Sequence, residues 1–232
     1  MKPWLSPAGT ISALAVGTAV WLGTGWRGFV VLVVFFVTAS ALTRGGGRRR
    51  PVQVFANGGV AASCALLTLV DSAFALAFAG AVAAAAADTW STEIGGRSGA
   101  EPRSITTGRP VARGASGGIT LAGTSGGCLG AMLIGFTAWL VGLATPGGAA
   151  WVAAAGVAGM LADSILGASL QARWRCVSCG ATIETPAHGC GKPGLPLSGW
   201  RWLDNDAVNA VATLLGASVA ALPVFTGGAP LP

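Results

Sequence analysis

The sequence predicts an all-α fold, a polytopic integral membrane bundle of about seven transmembrane helices. Three observations lead there. The 232 residues are 53% hydrophobic and only 9% charged, against about 25% charged in a soluble domain, so a solvated globular surface cannot be built from them. At about 20 residues per span, the length leaves room for roughly six to eight helices and little else, which excludes a large soluble catalytic domain. Thirty-seven glycines and no tyrosine suit closely packed helices better than lipid-facing barrel strands. Disorder is excluded because so apolar a chain has ample surface to bury. The net charge of +6 reports where the loops lie, and no nucleic-acid partner is expected, since no basic stretch alternates with aromatics on a soluble surface.

In chain order, the apolar windows are Pro7 to Gly25, Gly28 to Leu42, Val54 to Val70, Ser72 to Ile94, Gly118 to Leu143, Gly148 to Leu170 and Leu203 to Phe225. The first is only mildly apolar and the second is short for a span. A cleaved signal peptide competes for the first window, but no exported soluble domain follows it. Residues 1–232 read as one membrane domain, with a loop at 171–202 inside it. If the amino terminus is cytoplasmic, 13 of the 14 basic residues fall on the cytoplasmic side: Lys2, Arg44, Arg48, Arg49, Arg50, Arg97, Arg103, Arg109, Arg113, Arg173, Arg175, Lys192 and Arg201. Only Arg27 falls opposite. The expected arrangement is amino terminus in and carboxyl terminus out, in the plasma membrane, with the long loops facing the cytoplasm.

Ionisable side chains inside spans are costly and by default mark function. Asp88 and Glu93 lie near the end of the fourth window in ADTWSTEIG (87–95), with Asp88 about 8 to 10 Å from the cytoplasmic end of its helix. Asp163 lies at similar depth in LADSILGASLQ (161–171), with Gly167 and Gln171 on the same face. Asp204, Asn205, Asp206 and Asn209 open the last window in LDNDAVN, and Asn57 opens the third in ANGG. Asp204 also fits a helix N-cap and Asp206 a first-turn acid. Carboxylates and amides at one depth, with no lysine nearby, are oxygen ligands of the kind Mg²⁺ prefers.

Two loops carry the remaining chemistry. GRSGAEPRSITTGRPVARGASGGIT (96–120) holds four arginines, the pair Thr106 and Thr107, and the pair Gly117 and Gly118 at the mouth of a helix. Forked guanidinium groups, close backbone N–H approach and a helix dipole describe a polyanion site. The run Arg44 to Arg50, with its GGGRRR, reads instead as a topology anchor or a lipid-headgroup contact. In RCVSCGATIETPAHGCGK (175–192), Cys176, Cys179, His188 and Cys190 form a CxxC knuckle followed by HxC. Such spacing closes a Cys3His tetrahedron around Zn²⁺, and with four protein ligands the metal is structural. Cys64 and Cys128 read as packing residues.

QVFANGG, ADTWSTEIG, PRSITTGRPVARGASGGIT, ADSILGASLQ, the CxxCG loop and LDNDAVN, in this order, resemble the membrane family once called domain of unknown function 92. That family includes transmembrane protein 19 and the plant phytyl-phosphate kinase of vitamin E synthesis. The resemblance covers nearly the whole chain, with departures at Ser104, Arg109, Ala115 and Ser116. It implies phosphorylation of an isoprenoid monophosphate to the diphosphate, with CTP as the favoured nucleoside triphosphate donor. On that reading Asp88, Asp163 and Asp206 act with Arg103 as the catalytic set. Mg²⁺ is assigned to Asp88, Asp163, Asp204, Asp206, Asn205 and Asn209, and phosphates to Arg103, Thr106, Thr107, Arg109, Gly117, Gly118 and Asn57.

The physical reading agrees. A lipid phosphate, with a second pKa of about 6, is mostly ionised at neutral pH and needs charge neutralisation more than a strong base. The rival from another class is a transporter or flippase for an anionic substrate. It calls for acids near mid-bilayer and internal repeats, whereas here the acids crowd one leaflet and no repeat is visible.

Overall fold

The computed structural model describes residues 4–43 and 48–225, so Lys2 and Arg44 lie outside the described residues. It contains six α-helices: α1 (Pro7–Leu42), α2 (Pro51–Leu67), α3 (Phe74–Arg97), α4 (Leu121–Leu140), α5 (Pro146–Ser169) and α6 (Asn205–Phe225). Five are long and apolar enough to cross a membrane, and α2 is a shorter apolar helix. The chain is thus a polytopic membrane helix bundle.

The seven expected windows map onto these six helices because the first two both fall in α1, as two helical limbs joined across a kink. At Gly25 the backbone takes φ 63° and ψ −157°, a combination open essentially to glycine alone. There α1 doubles back. The rings of Trp21 and Phe29 pack edge-on at 5.4 Å, and those of Trp4 and Phe36 at 5.7 Å. On a straight helix the latter pair would stand about 48 Å apart.

α3 is the axis of the bundle and packs against all five other helices. Residues 76–87 are buried on every face, as expected of a helix that is apolar all round. Small residues bring the neighbours in. A Cβ on Gly80 would fall 2.3 Å from the Ala220 Cβ, one on Gly156 2.7 Å from the Ala83 Cβ, and one on Gly159 2.5 Å from the Ala84 Cβ. Between helices in lipid, such close backbone approach supplies the van der Waals contact that a hydrophobic driving force supplies in water.

At one end of the bundle lie the Gly25 corner and the short turns, where Arg27 donates to the Gly142 carbonyl at 3.1 Å. All long loops gather at the other end. There β1 (Arg103–Ser104) pairs antiparallel with β2 (Gly118–Ile119), and β3 (Arg173–Cys176) is the central strand of a small sheet between β4 (Thr182–Ile183) and β5 (Gly194–Ser198). This second sheet lies within the Cys/His loop.

Candidate functional site

A polar cavity of about 350 Å³ opens at the loop end of the bundle. Asp88 and Asp163 reach it from α3 and α5, Asn57 from α2, and Asn205 and Asn209 from α6. These are five of the residues that the sequence places at one depth. Among the described residues neither Asp88 nor Asp163 makes a hydrogen bond or ion pair with another side chain, whereas Glu93 in the same wall is bridged to Arg97 at 3.2 Å. Four carboxylates, counting Glu93 and Glu184, thus share one small cavity with three amides. Like charges so confined repel unless a proton or a cation intervenes, and an all-oxygen donor set of this kind fits a hard divalent cation.

The first-turn acids of α6 stand apart. Asp204 Oδ1 accepts from the Ala207 N–H at 2.9 Å, which is an N-cap contact. Asp206 pairs with Arg50 at 3.6 Å. Neither lines the cavity, whereas Asn205 and Asn209 on the same turns do.

The loop between α3 and α4 divides in the same way. Its base, from Arg113 through Gly118, lines the cavity. A Cβ on Gly117 would fall 2.4 Å from the Ala168 Cβ, and the residue has φ +78°, so only glycine lets the loop lie this close to α5. The tip folds onto itself. Arg103 Nη1 donates to the Gly108 carbonyl at 3.0 Å, and the hydroxyls of Ser104 and Thr106 meet at 3.1 Å. Arg103, Thr106, Thr107 and Arg109 are therefore exposed at the rim and are not among the residues lining the cavity.

Two site residues escaped the sequence reading. Glu184, on the turn after β4, reaches back into the cavity wall: Oε1 accepts from the Ser116 N–H at 2.9 Å and Oε2 from the Ser116 hydroxyl at 2.8 Å. Gln171 Nε2 donates to the same Oε2 at 3.1 Å and to the Ser116 Oγ at 3.0 Å. This network ties the Cys/His loop to the glycine pair, and Arg173 adds a bond to the Gly167 carbonyl at 2.9 Å. The available signal is that Glu184 is the only acid between Gln171 and Trp202.

Arg49 is the other, hidden in a basic run. Its guanidinium donates to the Ser40 hydroxyl at 3.0 Å and lies 5.8 Å from the centre of the Phe36 ring. Burial lowers its pKa from the ordinary guanidinium value, partly offset by the charge of Glu93.

In the Cys/His loop the ligand atoms of Cys176, Cys179, His188 and Cys190 all lie within 4.8 Å of one another. The Cys176 and Cys190 sulfurs are 3.7 Å apart, and His188 Nδ1 is 3.1 Å from the Cys190 sulfur. Zn–S distances of about 2.3 Å place tetrahedral sulfurs ~3.8 Å apart, so the group fits that ion. Backbone N–H groups of Cys179 and Ser178 lower the Cys176 thiol to about 6, which favours the thiolate a metal needs.

The family model described as integral membrane protein DUF92 matches residues 1–217. An uncharacterized membrane protein of Synechocystis is 28% identical, over 94% of this chain and 82% of its own. Protein PGR of Arabidopsis thaliana is 34% identical, over 87% of this chain and 84% of its own. The chloroplastic protein VTE6 of the same plant is 28% identical over 94% of this chain, which spans 65% of that relative. No solved structure matches.

Proposed function

This chain belongs to the integral membrane protein DUF92 family, and from that premise we propose that it is an isoprenoid-monophosphate kinase. It would transfer the γ-phosphoryl group of a nucleoside triphosphate, CTP by preference, to a prenyl or phytyl-type phosphate. The observation that carries the reading is the polar cavity in which Asp88, Asp163 and Glu184 meet Asn57, Asn205 and Asn209 at the loop end of the bundle. The resemblance to a family that includes the plant phytyl-phosphate kinase supplies the reaction.

In this reading an oxygen of the lipid phosphate forms the new bond to the γ-phosphorus, and the bond to the bridging oxygen breaks as the nucleoside diphosphate leaves. A bound Mg²⁺ supplies neutralisation of the phosphoryl oxygens in such a transfer. Asp88 and Asp163 would hold it, with Asn57, Asn205 and Asn209 orienting the oxygens around it. Asp204 and Asp206 take supporting places, capping α6 and pairing with Arg50. The backbone at Gly117 and Gly118 offers N–H groups to phosphate. Arg103, Thr106, Thr107 and Arg109 at the exposed rim would receive the donor, which arrives from water. Cys176, Cys179, His188 and Cys190 would hold a structural Zn²⁺ that fixes the loop bearing Glu184.

We place the loop end in the cytoplasm and the protein in the plasma membrane, because basic residues concentrate in these loops. The test uses purified protein in detergent, Mg²⁺, labelled CTP or ATP, and a panel of prenyl alcohols, monophosphates and diphosphates. Label is expected in diphosphates made from monophosphates. Transfer to alcohols alone, or to nothing in the panel, overturns the reading, and in the second case flux of prenyl phosphate across vesicles becomes the measurement.

A further inference from the structure

A second cavity, apolar and of about 580 Å³, lies between the two limbs of α1 and the first turns of α2. Leu14 and Val16 from one limb and Leu32 and Phe36 from the other form its walls, and the edge-on pair of Trp21 and Phe29 stands at its far end beside the Gly25 corner. Its near end is polar. Arg49, Asn57 and Thr89 line both this cavity and the carboxylate cavity, so the two spaces adjoin at a guanidinium. Arg49 makes no ion pair among the described residues. A half-buried guanidinium without an ion-pair partner, set between an apolar channel and a polar cavity, is complementary to an anionic headgroup on an apolar tail.

We propose that this channel seats the single tail of a prenyl monophosphate, with the phosphate on Arg49 and the tail end against Trp21 and Phe29, so that this ring pair sets the accepted chain length. The inference rests on the kinase reading for its choice of lipid. From Thr10 to Trp21 the channel follows α1 for about 16 Å. An extended chain advances roughly 1.2 Å per bond, since the three backbone bonds of a residue span ~3.5 Å. With four chain bonds per isoprene unit, the channel takes about three to four units.

The experiment needs no turnover. A farnesyl monophosphate carrying a photoreactive diazirine at the tail end is bound to the full chain in nanodiscs, irradiated, and the labelled residue is mapped by mass spectrometry. Label is expected at or beside Trp21 and Phe29, and unlabelled farnesyl monophosphate should compete at least tenfold better than phosphatidic acid or inorganic phosphate. Trp21→Ala, at a half-exposed position, should move the best competitor to a chain at least one unit longer, and Arg49→Gln should weaken labelling at least tenfold. Label spread over the lipid-facing surface, equal competition by phosphatidic acid, or an unchanged length preference in Trp21→Ala overturns the proposal. Specific labelling without phosphoryl transfer to any monophosphate overturns the kinase reading and leaves the tail channel standing.

Discussion

Asp163 projects from α5 into the polar cavity, and its carboxylate is hard to account for at that depth without a cation or substrate. Asp163→Asn keeps size and hydrogen bonding while removing the charge. The variant is expected to insert and melt like the wild type but to lose at least about a hundredfold in turnover, on the order of 3 kcal/mol of transition-state stabilisation. Wild-type turnover of a prenyl monophosphate by this variant would remove the residue from the mechanism. Glu184 acts differently, through its bonds to Ser116 and Gln171. Hydrogen bonds to a charged group contribute about 1.5–3 kcal/mol, so Glu184→Gln should speed amide exchange at 114–118 and lower turnover about tenfold or more, with zinc content unchanged. Unaltered exchange there would mean that the contact does not hold the loop.

The elements differ in how much of their position comes from local sequence. α3 carries a nearly uninterrupted run of alanines, and its place at the axis follows from having no polar face to turn outward. In α1 the two apolar stretches that Gly25 separates in the sequence are two helical limbs, and only the structure shows that they fold back on each other with no loop between them. The Cys/His loop is the element most dependent on a ligand, since a three-stranded sheet of such short strands buries little apolar surface. Cys179→Ser is expected to lose about one zinc per chain, and chelation of the wild type should melt residues 171–202 while the helices persist, as circular dichroism and limited proteolysis will report. Unchanged zinc in Cys179→Ser would mean that another group supplies the fourth ligand.

At the scale of the whole molecule, all long loops gather at one end of the bundle and the tight turns at the other. Single cysteines introduced near Arg48, Gly108 and Thr185 should resist an impermeant thiol reagent in intact cells and react after the membrane is opened. Labelling of any of them from outside would reverse the orientation and place the cavity beyond reach of cytoplasmic nucleotide. The sequence by itself determined the membrane class, the spans of α3 to α6, the Cys/His cluster and a shared depth for Asn57, Asp88, Asp163, Asp204, Asn205, Asp206 and Asn209. Each of these follows from composition, from apolar run length, or from spacing along one helix or loop, which are local quantities. Only the tertiary structure decided which of those polar groups meet. Asp204 and Asp206 share turns with Asn205 and Asn209 but are taken up by a cap and by Arg50, and the arginines of the α3–α4 loop separate into rim and base because Arg103 bonds back to Gly108. Glu184, Arg49 and the channel inside the bent α1 become visible only when segments distant in sequence are packed together, because a cavity belongs to the helices that enclose it.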